Sequence, residues 1–201
     1  MAEARGAAGL SVLPAGASAE ELVGAIEAHH RQLAAQWATI QGGVVEDHPE
    51  LLRTAVGLPV TYTNQINAAR LAPLAADAAI AETEAFLDRH GVPGMWVVGP
   101  LSRPEDLDAR LVRRGWVHDE DLPWMAAPIG DVLDAVSPRP AGLSVEVVED
   151  DDAQDRWLGV MSAGFGMDER GRAAMSRLRV SQKGSFCNWD SPRAHCRSVR
   201  R

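Results

Sequence analysis

The chain changes character near residue 179, and that change limits what the preceding segments can complete as a fold. Residues 1–178 hold 14 Arg, no Lys, 27 Asp and Glu and 31 Ala, a formal charge of −13. Residues 179–201 hold the only Lys (Lys183), both Cys (Cys187 and Cys196), five Arg and one acid (Asp190), a formal charge of +5. An out-of-frame stretch and a natural disordered basic tail both produce such a shift. The shift falls just after a new unit has opened, so an irregular tail there leaves that unit short of strands.

Composition excludes several partners. The acidic body has no clustered basic face to meet phosphates, and the charges of the tail are scattered, so nucleic acid is not an expected partner. No run reaches the roughly 18 apolar residues that span a bilayer. Residues 1–16 are Ala- and Gly-rich with Arg5 alone charged positive, and they lack the apolar core of a signal peptide. The expectation is a cytoplasmic protein with no membrane partner. The two Cys, nine residues apart, form neither a metal-ligand cluster nor a disulfide framework.

Periodicity divides the chain into four parts: an irregular N-terminus (1–17), an α+β domain (18–136), the opening of a second unit (142–178) and the tail (179–201). Ser18 and Glu21 have capping-box spacing, and Leu22, Ile26, His29, Leu33, Trp37 and Ile40 form one apolar stripe, so a helix is expected from Ser18 to Gln41. His29 and His30 lie on or beside this stripe and read as structural histidines. Three short strands follow, at Val44–Glu46, Leu51–Val56 and Val60–Thr63, separated by His48-Pro49 and Leu58-Pro59 as in an antiparallel meander. A helix is expected from Asp77 to His90, with Gly91 past its end, then a strand at Met95–Val98.

Ser102, Pro104 and Glu105 mark the start of a third helix and Gly115 its stop. Trp116–Asp119 and Trp124–Ile129 read as paired strands around the acidic turn Asp119-Glu120-Asp121, whose neighbouring acids are read as solvated rather than as a cation site. Ser137-Pro138-Arg139-Pro140 reads as a linker. Beyond it, Leu143, Val145 and Val147 alternate as a strand, Asp150 caps a helix carrying Trp157, Val160, Met161 and Phe165, and a last helix runs from Asp168 to Leu178.

The order of these segments resembles the N-terminal part of a GNAT-superfamily N-acetyltransferase. The stretches that carry the likeness are Pro59–Asn67, the helix Asp77–His90, Val92-Pro93-Gly94-Met95-Trp96-Val97-Val98-Gly99-Pro100, the following Leu101–Leu107, and the Leu111–Val117 unit with Gly115-Trp116. Residues 142–166, ending in Gly164-Phe165-Gly166, resemble the first strand and helix of a second, catalytic unit. The resemblance implies an α+β fold, a GNAT-like antiparallel sheet flanked by helices, followed by an incomplete second unit and an irregular tail.

In intact relatives it implies acyl transfer from acetyl-CoA to a small amine. Such proteins hold acetyl-CoA on a Q/R-x-x-G-x-G/A loop between a central strand and a helix, whose glycines let backbone N–H groups approach the pyrophosphate. Arg170-Gly171-Arg172-Ala173-Ala174 does not fit that spacing and reads as helix surface, so no cofactor is expected for this chain and autonomous activity is doubtful. Tyr62, Asn64 and Trp96, polar and aromatic residues at strand ends, are the candidates for an acceptor pocket; for each the structural reading is the stronger, Trp96 as core of an apolar strand and Asn64 as a turn hydrogen bond. The alternative is a non-catalytic module that binds a ligand or a partner, with self-association through an uncovered sheet edge.

Overall fold

The computed structural model describes residues 13–14, 16–134, 140–144, 148, 150–176 and 194–200. Helix α1 (Ala19–Ile40) opens on the expected capping box: the Ser18 side chain accepts from the Glu21 backbone N–H, and the Glu21 carboxylate accepts from the Ser18 N–H. The face it buries is not the expected apolar stripe. Glu27, Ala34 and Ala38 are the buried residues, whereas Leu33 is 41% exposed. Small side chains let the helix approach the sheet closely, and this decides the buried face over side-chain hydrophobicity.

Strands β1 (Val44–His48), β2 (Leu51–Ala55) and β3 (Gln65–Asn67) pair antiparallel in succession. Between β2 and β3, the expected strand at Val60–Thr63 is instead a 3-10 turn over Thr61–Thr63. Asn64 accounts for the difference. Its buried side-chain amide donates to the carbonyls of Leu58, Val60 and Pro93, and its Oδ1 accepts from the Val56 N–H. One side chain thus ties the loop into a knot that an extended strand could not form.

Helix α2 (Ala76–His90) then returns the chain to β4 (Met95–Val98), which lies parallel to β3. Gly91, at φ 63°, supplies the left-handed turn that ends the helix. Helix α3 (Leu107–Arg113) starts later than the Ser102–Glu105 spacing implies. Ser102 does not cap it; its Oγ accepts from the Gly99 N–H, closing the β4–α3 loop, and the Arg103–Pro104 peptide is cis.

A single strand, β5 (Val117–Trp124), replaces the two expected around an acidic turn; the acids lie in the strand, with a register shift between His118 and Glu120. Helix α4 (Ile129–Asp134) takes the end of the second expected strand. Helices α5 (Asp151–Gly164), capped by Asp150, and α6 (Glu169–Met175) follow as the sequence suggests. Of the strand expected across 143–147, Val145 and Val147 fall outside the described residues.

Strand β6 (Ala194–Arg200), in a segment read from sequence as irregular tail, lies between β4 and β5 and pairs antiparallel with both. The result is a six-stranded mixed sheet in the order β1-β2-β3-β4-β6-β5. The fold is α+β, a mixed sheet with helices on both faces. The outermost strands carry Glu46, Asp47 and His48 on β1, and Asp119, Glu120, Asp121 and Pro123 on β5, and charge and proline at edges oppose edge-to-edge pairing.

The two faces differ. On one, α2 and α3 press Ile80, Phe86, Leu87, Leu107 and Leu111 against Ile66, Trp96 and Trp116, and the Trp96 and Trp116 rings meet edge-on at 5.9 Å. Burying each such side chain contributes about 1.5–3 kcal/mol. Arg53, buried among these elements, donates to Thr83 Oγ1 at 2.9 Å and to Glu46 at 3.1 Å, so its charge is paired as well as covered. The other face carries α1. At that helix's far end, Trp37 joins Leu58, Leu158 and Met175 in a smaller apolar cluster that docks α5 and α6 onto the first domain.

Candidate functional site

β3 and β4 run parallel, and β5 runs in the same direction as β4 because both are antiparallel to β6. The carboxyl ends of three strands therefore point the same way, the end at which open sheets with parallel strands present ligand sites. A half-enclosed crevice opens there on the α1 face. It is lined by Asn67 and Ala68 after β3, Val97 and Gly99 on and after β4, Ser102, Trp124 at the end of β5, and Glu27 and His30 from α1. Its free space, about 10 Å³, is room for one water.

Two adjacent residues in this crevice carry a local energetic penalty. Asn67 is only 2% exposed, and neither its Oδ1 nor its Nδ2 has a hydrogen-bond partner among the described residues. Asn67 is the one described residue with both side-chain polar atoms buried and unpartnered. An amide left this way costs about 1–3 kcal/mol. Ala68 has φ 54°, the one described non-glycine residue in the left-handed region, which costs roughly 1–2 kcal/mol for an L-residue. Strain and unsatisfied polar groups concentrate where a protein binds or acts.

The walls are built more conventionally. Glu27, 8% exposed, pairs with Arg70 and accepts from the Leu101 backbone N–H at 3.1 Å, linking α1 to the loops after β3 and β4. The His30 ring lies 4.7 Å from the Trp124 ring at a tilt of 59°. Burial, with a smaller push from His29, holds the His30 imidazole down at about 4, so it is neutral at physiological pH. Trp124 also packs on Met95 and Val97.

The three residues proposed from sequence are not gathered into one cavity. Tyr62 is 38% exposed, its hydroxyl 3.6 Å from Met175 Sδ, and partial burial raises its phenol above the usual range. Asn64 is fully committed to the loop knot. Trp96 lies in the apolar core on the α2 face, its indole Nε1 buried without a partner among the described residues. The crevice residues gave weaker signals. His30 reads as a structural histidine beside an apolar stripe, and Asn67 enters only as the last residue of the Pro59–Asn67 stretch, with no role of its own. The one usable hint was a polar amide followed by Ala-Ala where a strand had to end.

Among the described residues, no group of three or more His, Cys, Asp or Glu side chains is gathered to hold a metal ion, and no helix is long and apolar enough to cross a membrane. No protein-family model, curated protein or solved structure matches the chain.

Proposed function

We propose that this chain is a GNAT-related unit that does not itself hold acetyl-CoA, the acyl transfer to an amine belonging to intact relatives. The order α1, three antiparallel strands, α2, a strand parallel to the third, then α3, supports the kinship. The observation that carries the functional half is the loop from β3 to α2, where a strand-to-helix phosphate cradle would lie. It reads Ala68-Ala69-Arg70-Leu71-Ala72-Pro73-Leu74-Ala75, with no glycine.

Side chains at every position keep a pyrophosphate away from the backbone. Pro73 has no N–H to offer, and the Arg70 guanidinium is paired with Glu27. Asp77 places negative charge in the first turn of α2, where it repels a phosphate.

Titration calorimetry of the full chain with acetyl-CoA tests this reading. The expected result is no saturable heat; saturable micromolar binding would overturn it. A binding module without acyl transfer is the second reading, and the strained crevice at the strand ends favours it.

A further inference from the structure

The chemistry of the crevice selects among ligands. Glu27 and Arg70 neutralise each other at its rim, and Glu27 is further held by the Leu101 N–H. An added anion would face the Glu27 carboxylate, and an added cation would find that carboxylate already paired with Arg70 while losing its own hydration. His30 is uncharged at neutral pH and presents, with Trp124, an aromatic wall. A neutral guest is therefore favoured.

Asn67 narrows the choice further. Its amide presents an acceptor oxygen and a donor NH2 side by side, both buried and both without partners among the described residues. A carboxylate would set one oxygen against Oδ1, and an ammonium would set its hydrogens against Nδ2. Another carboxamide carries a donor and an acceptor at the same spacing and satisfies both atoms at once.

We propose that the crevice is a binding site for a small neutral carboxamide, paired with the Asn67 side chain through two hydrogen bonds and covered by the Trp124 and His30 rings. The site does not depend on the acyltransferase reading. The empty crevice fits only a water, so one wall must yield to the guest. That wall is Trp124, which is half-buried at the last position of β5 and packs on His30, Met95 and Val97. The left-handed backbone at Ala68 holds the turn that sets Asn67 at the mouth of the site.

The test is a heteronuclear NMR titration of the labelled full chain with acetamide, and separately with acetate and methylammonium as charged analogues of similar size. Acetamide is expected to move the Asn67 side-chain NH2 pair and the Trp124 indole resonance saturably, and each charged analogue to bind at least about ten-fold more weakly, because each leaves an Asn67 atom facing its like. Asn67→Leu, similar in volume and without polar atoms, is expected to abolish the acetamide response at Trp124. If that variant does not fold, the ranking of the three probes on the unaltered chain decides the question. A response that does not saturate, one confined to resonances remote from Asn67, or acetate binding as tightly as acetamide would each overturn the proposal.

Discussion

The two faces of the sheet are assembled on opposite principles. On the α2 and α3 face, Phe86, Ile80, Leu107 and Leu111 meet Trp96, Trp116 and Ile66; the buried charge there, Arg53, is hydrogen-bonded on several sides, and the Trp96 indole Nε1 is the one polar atom of this cluster that lacks a partner among the described residues. On the α1 face the helix buries Glu27 and two alanines, and the sheet sets Asn67 and Thr54 beside Leu52, Met95 and Val97. The first face stabilises the fold. The second holds a buried, unpartnered amide at Asn67 and a water-sized crevice at the strand ends, and it is the face on which we place the binding site.

The largest consequence of this contrast lies in the dry core. Phe86→Ala removes a fully buried ring from between α2 and the sheet and is expected to lower unfolding free energy in urea by about 3–5 kcal/mol. A loss under roughly 1 kcal/mol would show that this face is not the packed one, since so small a value is typical of surface substitutions and minor changes. The contrast between the faces would then have to be abandoned.

Next in size is a pH effect confined to the α1 face. His30 lies near 6.5 when unfolded and about 4 when folded, because burial disfavours its charged form. The unfolded chain therefore binds the proton more readily between these values. The His30 contribution to stability is complete above pH 6.5, falls as pH drops from 6.5 to 4, and is constant below 4. The shift corresponds to roughly 3 kcal/mol at most. Urea unfolding of the unaltered chain and of His30→Phe, compared at pH 7 and pH 4.5, isolates it: the unaltered chain should lose more stability than the variant. Equal losses would mean that His30 is reached by water in the folded state, and that Trp124 does not cover it.

How much of this was readable beforehand depends on whether local or distant contacts decided each element. The α1 capping box, Gly91 ending α2 and Asp150 capping α5 are interactions within a few residues, and their spacing alone marked them. Which face α1 buries was not local. Leu33 makes the better stripe on paper, but Ala34 and Ala38 allow the helix to close on β1 and β2, and the sheet decides.

Asn64 turned an apparent strand into a 3-10 turn by reaching the Pro93 carbonyl, 29 positions away in the chain. The acidic run at 119–121 looked like a turn because its strand partner, β6, comes from residues nearly eighty positions later, in a segment whose composition suggested no structure. The crevice was invisible for the same reason. Glu27, Asn67, Gly99 and Trp124 are far apart in sequence, and an unpartnered amide is a property of surroundings rather than of a motif.

The smallest predicted effect is the one that separates the faces by sign. Ala81→Gly, at an exposed position inside α2, should cost about 1 kcal/mol, the usual penalty for glycine in a helix. Ala68→Gly should do the reverse. Glycine there loses more freedom on folding, by roughly 0.5–1 kcal/mol, but it relieves a left-handed alanine costing about 1–2 kcal/mol, for a net gain of up to about 1.5 kcal/mol. Parallel urea unfolding of the two variants should move the midpoints in opposite directions. If both fall, Ala68 is not strained, and the energetic case for a maintained site rests on Asn67 alone. If Ala68→Gly gains stability while weakening the acetamide response at Asn67, the strain is what holds the amide in place, and the chain retains it at the expense of stability.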